Sequence, residues 1–101
     1  MVDKKHAIIW SKNAEIQLQK INNYVKEESL QNAEIVLFTI IKKVNQLHFN
    51  PERFSKDKYK LNNDGSFHAF EIYTYRLSFR IVEDKIHILR IRSTHQKPLK
   101  F

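Results

Sequence analysis

YTYRLSFRIVEDKIHILRIRSTHQKPLKF, residues 73–101, alternates apolar and basic residues on either side of one turn. That is the period-two pattern of a half-buried β-hairpin. Between Arg76 and Phe101, seven cations (Arg76, Arg80, Lys85, Arg90, Arg92, Lys97 and Lys100) stand against Glu83 and Asp84, so positive charge gathers on one face of a sheet. Register decides which face, because a one-residue slip turns every side chain over. A three-residue turn at Glu83 to Lys85 sets Val82 against Ile86, Phe79 against Leu89 and Leu77 against Ile91. Tyr75, Leu77, Phe79, Ile81, Leu89 and Ile91 then form an apolar face. Arg76, Ser78, Arg80, Arg90 and Arg92 form the other, with Val82, Ile86 and Ile88 near the turn. A two-residue turn at Asp84-Lys85 instead faces Phe79 with Arg90 and Leu77 with Arg92, driving two guanidinium groups toward the core at a cost of several kcal/mol each. The three-residue turn is therefore expected.

Upstream, FHAFEIY (67–73) reads as a further strand, joined to YRLSFRIV (75–82) through Tyr73-Thr74. HAIIW (6–10) reads as a first strand. Ser11 or Asn13 is positioned to cap a helix whose apolar residues Ala14, Leu18, Ile21 and Val25 recur at helical spacing and which ends near Glu28. Ser29 caps a second helix with the stripe Leu30, Ala33, Leu37, Ile40, Ile41, Val44 and Leu47, stopped at Asn50-Pro51. Ile35, Val36 and Phe38 add more apolar surface than one stripe needs. Burial between sheet and partner helix is the plainer account of them, and a groove for a partner's helix the functional one. PERFSKDKYKLNNDG (51–65) reads as a solvated, lysine-bearing loop closed by a turn. The expected fold is α+β, in the order β-α-α-β-β-β, with a helical hairpin on one face of a small, mainly antiparallel twisted sheet.

The 101 residues fit one domain, 1–101. Hydrophobic residues make up 42% with only one Gly and two Pro, which argues against disorder. No cysteine is present, which removes disulfides and thiolate metal sites. The histidines His6, His48, His68, His87 and His95 show no metal-ligand spacing, and neither a phosphate loop nor a nucleophile elbow occurs. No metal or cofactor is expected. MVDKKHAIIW is too short an apolar stretch for a signal or a membrane span, so a cytoplasmic location without membrane contact is expected. A net charge of +7 favours polyanionic or acidic partners. Arginine's planar fork suits phosphate or carboxylate. Arg76, Arg80, Arg90, Arg92 and Lys97 are the candidate phosphate- or target-binding residues.

The order of elements, Tyr75-Arg76-Leu77-Ser78-Phe79, the alternating strand Ile86 to Arg92 and the terminal His95-Gln96-Lys97-Pro98 resemble the RelE/ParE superfamily of toxins from bacterial type II toxin-antitoxin modules, over nearly the whole chain. The resemblance implies one of two targets. RelE-like members cleave mRNA in the ribosomal A site without a metal; on that reading Arg76 binds the scissile phosphate, Lys97 lies near a second phosphate-binding position, and His95 is acid or base. ParE-like members poison DNA gyrase. Phe67 and Ala69 stand where RelE-like nucleases carry lysines, and His95 followed by a basic residue and Pro98 is similar to the end of ParE-like chains, so the ParE-like reading leads. Either implies an acidic cognate antitoxin in a hetero-oligomer, folded along the helices and the basic sheet, with Ile35, Phe38, Arg90 and Arg92 as its contacts. A non-toxic basic module gripping nucleic acid through phosphates is the reading from a different class.

Overall fold

A computed structural model describes residues 5–96 together with Lys100 and Phe101. The chain runs β1 (Ala7–Trp10), α1 (Lys12–Glu28), α2 (Leu30–Asn45), short 3-10 turns at Gln46–His48 and Pro51–Arg53, then β2 (Phe67–Ile72), β3 (Tyr75–Val82) and β4 (Lys85–Ser93). The sheet order is β1-β4-β3-β2. β1 lies parallel to β4 and the other pairs are antiparallel, as expected for an α+β chain with a mainly antiparallel sheet. Both helices begin where the serines place them: the Ser11 hydroxyl accepts from the Ala14 amide at 3.0 Å and the Ser29 hydroxyl from the Asn32 amide at 3.1 Å. The helices cover one face of the sheet, where Ala14, Ile40, Val44 and Leu47 meet Phe70, Leu77, Phe79, Ile86, Ile88 and Ile91.

The hairpin corrects the expected register in its turn half. Val82 pairs with Lys85 across a two-residue turn, Glu83-Asp84, rather than with Ile86 across three residues. Glu83 supplies a φ of +58° and, in the preceding hairpin, Tyr73 a φ of +54°, the left-handed backbone that two-residue hairpins require at this position. Ile81 then faces Ile86 and Phe79 faces Ile88, so both isoleucines enter the core instead of the outer face. Leu77 still faces Ile91, because a β-bulge between Ser78 and Phe79 leaves Leu89 as the extra residue of β4. Without Leu89, the run Ile86, His87, Ile88, Arg90, Ile91, Arg92 alternates without a fault. One inserted residue thus reconciles apolar positions that no single regular ladder accommodates.

The bulge also anchors the helices. Ser11 donates its amide to the Ile88 carbonyl at 3.0 Å and its hydroxyl to the Leu89 carbonyl at 2.9 Å, while the Gln17 side-chain oxygen accepts from the Ile91 amide at 2.6 Å. α1 is therefore bonded by its cap to the irregular point of the central hairpin. α2, by contrast, is less covered than its apolar content suggests. Ile35 and Phe38 are 49% and 68% exposed, so the expectation of full burial between sheet and helix fails for these two.

Ser11 serves both as a cap and as a bond to the bulge, whereas Ser29 caps only. Ser11→Ala should lower unfolding stability by about 1–2 kcal/mol and Ser29→Ala by about 0.5–1 kcal/mol, compared by urea denaturation.

Candidate functional site

Period two places Arg76, Ser78 and Arg80 of β3 on the face away from the helices, beside Phe67, Ala69 and Glu71 of β2 and His87, Arg90 and Arg92 of β4. The four arginines do share a face, as the alternation predicts. The face is not, however, a bare basic surface. The segment read as a solvated loop folds across it. Its start bonds along the edge of β2, with the Asp57 amide donating to the Phe67 carbonyl at 2.9 Å and the Ala69 amide to the Ser55 carbonyl at 3.1 Å. Asn63 fixes its end, accepting from the Gly65 and Phe67 amides and donating to the Phe67 carbonyl. Gly65 there has a φ of +97°, open to glycine without strain.

That loop delivers counter-charge. Asp57, whose side chain is 1% exposed, accepts from Arg76 Nη2 at 2.9 Å and from the Tyr59 amide at 3.0 Å, both on Oδ1. Glu71, directly opposite Arg76 in the ladder, lies 3.7 Å from its Nη1. Arg80 donates to the Ser66 hydroxyl at 3.0 Å and lies 3.6 Å from Asp64. Asp64 is held below the usual carboxylate value, first by bonds from the Ser66 hydroxyl and amide and then by the Arg80 charge. Aromatic rings take up the remaining guanidinium faces: Tyr59 under Arg76 at 4.8 Å, Phe67 under Arg80 at 4.7 Å and Phe101 under Arg90 at 4.0 Å, the distances of cation–π contact. Phe101 is clipped in place by main-chain bonds to Tyr59 and Leu61.

A cleft of about 60 Å³ opens between these groups, lined by Asp57, Tyr59, Arg76, Arg90, Arg92 and Phe101 among others. Asp57 and Arg90 each also bury a polar atom, Oδ2 and Nε, that has no hydrogen-bond partner among the described residues. Burial pulls the Arg90 guanidinium below its ordinary value; the Asp57 charge opposes this and the Arg92 charge adds to it. Guanidinium groups lining a cleft are equipped to donate to an oxyanion, while the Asp57 carboxylate beside them offsets part of their charge.

His95 stands elsewhere. It is exposed, two residues past the end of β4, and borders an adjoining hollow against α1 with Tyr24, Tyr75 and Lys20, which shares Arg92, Ser93 and Gln96 with the first. Arg76 and His95 therefore line different clefts, with Arg92 at the border of both, and Lys97 lies outside the described residues. Ile35 and Phe38 are on α2, which packs on the opposite side of the sheet from Arg90 and Arg92. Among the described residues no group of three or more His, Cys, Asp or Glu side chains is placed to hold a metal, and no helix is long and apolar enough to cross a membrane. Asp57, Tyr59 and Phe101 were not singled out from the sequence, yet a signal exists. In Lys56-Asp57-Lys58-Tyr59-Lys60 the lysines alternate with an acid and an aromatic, which turns Asp57 and Tyr59 to the sheet while Lys56 and Lys58 face solvent.

A family model for the ParE toxin of the type II toxin-antitoxin system parDE matches residues 8–98. A structure of the chromosomal ParDE toxin-antitoxin system from P. aeruginosa is similar over 89% of this chain and 97% of that one, at a TM-score of 0.69 and 19% identity. The RelBE2 toxin-antitoxin complex from Mycobacterium tuberculosis is similar over 91% and 97%, at a TM-score of 0.62 and 20% identity. At these identities the two structures speak to the fold. A search of curated proteins found no match.

The two acids of the loop should differ sharply in weight. Asp57→Ala leaves Arg76 and Arg90 without a buried counter-ion and should cost about 2–3 kcal/mol, less than a wholly buried pair because Arg76 keeps 18% of its side chain exposed. Asp64→Ala, at an exposed pair, should leave the thermal midpoint nearly unchanged.

Proposed function

The chain belongs to the ParE family of toxins from type II toxin-antitoxin systems, and on that premise we propose that it arrests growth by engaging DNA gyrase, and that a cognate antitoxin neutralises it. The carrying observation is the state of Arg76. The arginine that a ribonuclease of this superfamily would turn toward the scissile phosphate is committed to Asp57 and Glu71, and His95 borders a different cleft. Groups for an acid-base reaction on one phosphate are not gathered around both. A contact surface needs no such assembly: Arg80, Arg92 and His95 distribute polar and positively charged groups over an area, as recognition of a macromolecule does.

Purified protein should inhibit supercoiling by gyrase at micromolar concentration, and Arg92→Ala combined with His95→Ala should weaken that inhibition. Supercoiling that proceeds unaffected rejects the reading. One observation favours the ribonuclease alternative, namely that Arg76 lines the outer-face cleft together with Arg90 and Arg92, cations of the kind that meet charge developing on a phosphate. Ribosomes programmed with mRNA decide between the two. A-site cleavage that disappears in Asp57→Asn and Arg76→Ala would establish the nuclease.

The antitoxin has an apolar landing site in Ile35 and Phe38, exposed side by side on α2, with the Thr39 hydroxyl bonded to the Ile35 carbonyl at 2.7 Å and 3.3 Å from the Tyr73 hydroxyl. Apolar surface of this kind on a helix fits an amphipathic partner segment. Phe38→Glu should keep the protein folded and toxic on expression while abolishing rescue by the antitoxin. Full rescue would remove this surface from the interface.

A further inference from the structure

The outer edge of β2 is paired for only part of its length. Its outward-pointing main-chain groups belong to Phe67, Ala69 and Glu71, because the Ser66 carbonyl accepts from the Ile81 amide of β3 at 2.9 Å and the direction alternates from there. The loop takes the first of these groups: Asp57 donates to the Phe67 carbonyl at 2.9 Å and Ser55 accepts from the Ala69 amide at 3.1 Å. There it turns away. The Pro51–Arg53 turn spends the Arg53 amide on the Asn50 carbonyl and the Phe54 amide on the Pro51 carbonyl, both at 3.3 Å, so neither reaches β2. The Ala69 carbonyl and the Glu71 amide and carbonyl are left with no hydrogen-bond partner among the described residues. Between the diverging chains lies an open hollow of about 450 Å³, lined by Arg53, Phe54, Lys56, Lys58, Glu71 and Arg76 among others. Its four cations, less Glu71 and the Asp57 that holds Arg76, leave two positive charges. Arg53 reaches Gln46 and the Phe54 ring, and Lys58 lies over Tyr59, but no carboxylate among the described residues pairs with Arg53, Lys56 or Lys58.

We propose that this edge takes an extended, acidic segment of a partner protein as a fifth strand, paired to β2 beyond the point where Ser55 leaves it. Both kinds of main-chain group stand free there, N–H and C=O, which a polypeptide strand matches and a phosphate backbone, offering acceptors only, does not. The surplus positive charge selects acidic side chains on that strand. Lysines beside an edge commonly guard it against other edges, and here they repel a second copy of this chain, itself at +7, while admitting an acidic segment. An added strand lies about 4.8 Å from β2, and its alternate side chains meet different surroundings. On one side are the Phe54 and Phe70 rings, 5.4 Å apart, and on the other Arg76. Apolar residues alternating with acids therefore fit. The edge does not involve Arg80, Arg92 or His95, so it is independent of which macromolecule the toxin arrests.

The test uses the full chain and a short synthetic peptide of alternating glutamate and valine, acetylated and amidated at its ends, at constant ionic strength so that screening does not mimic binding. Followed by NMR, the peptide at saturation should slow hydrogen exchange of the Glu71 amide at least about tenfold, while the Ile72 amide, already paired to β3, stays as it was. By fluorescence anisotropy of labelled peptide, the same sequence with lysine for glutamate should bind at least about tenfold more weakly. Glu71→Pro removes the outward amide without touching the β2–β3 ladder, a place where an edge strand tolerates proline, and should weaken binding at least about tenfold. Glu71→Ala keeps the amide and should bind as well as the parent. Should the proline variant not fold, Lys56→Glu combined with Lys58→Glu serves instead, with a similar loss expected. An unprotected Glu71 amide would mean that the cations only guard the edge. Protection that grows with protein concentration and needs no peptide would assign the edge to a second copy, and oligothymidylate bound as tightly as the peptide would make the hollow a phosphate site. Each of these three results overturns the proposal.

Discussion

Four arginines on one face of a small sheet repel one another, and the outer half of this fold is arranged around that repulsion. A helix layer on this side would supply apolar contact but no charge. A loop bonded to the edge of β2 instead brings Asp57 to Arg76 and Asp64 to Arg80, and β2 itself adds Glu71 opposite Arg76. Rings of Tyr59, Phe67 and Phe101 then occupy the guanidinium faces, so the cations are retained with their stems packed and their charges partly met. The sheet is consequently covered on both sides by different chemistry, apolar helices on one and an ionic, aromatic layer on the other.

Much of this architecture is legible in the sequence because it depends on periodicity and on local hydrogen bonds. Ser11 and Ser29 mark helix starts through their hydroxyls, and the alternation from Tyr75 to Arg80 fixes which side of β3 meets the helices. What escaped was set by neighbours distant in the chain. Ile86 and Ile88 need the opposite parity from Ile91, and an uninterrupted strand pattern offers no means to satisfy both. The bulge that does so is held by Ser11, 78 residues away from Leu89. The Glu83-Asp84 turn is similarly hidden, since neither residue advertises the left-handed backbone that Glu83 adopts.

The candidate site follows the same division. Arg76, Arg80, Arg90 and Arg92 were recognisable as a group from one strand pattern. Their partner Asp57 was not, because the segment around it is dominated in composition by lysines and its pairing with Arg76 depends on an edge contact between Ser55 and Ala69. Composition describes what a loop exposes; the alternation within it describes what it turns inward. Likewise the apolar residues of α2 divide by geometry, with Ile40 and Val44 of the stripe sealed in the core and the additional Ile35 and Phe38 left outside.

The bulge at Leu89 has a consequence for how the domain assembles. Pairing that starts at the Glu83-Asp84 turn proceeds regularly through Ile81 and Ile86 to Phe79 and Ile88, all local contacts that close quickly. There the ladder must skip a residue before Leu77 meets Ile91, and continuing in the old register would bring Arg90 to the core side. Ser11 and Gln17 stabilise the skipped register through β4 main-chain groups on either side of it, and both arrive with α1. The central hairpin is thereby divided into a turn-proximal half held by its own regular ladder and a distal half whose register is tied to α1, which makes the placement of Arg90 and Arg92 on the outer face dependent on the packing of the apolar one.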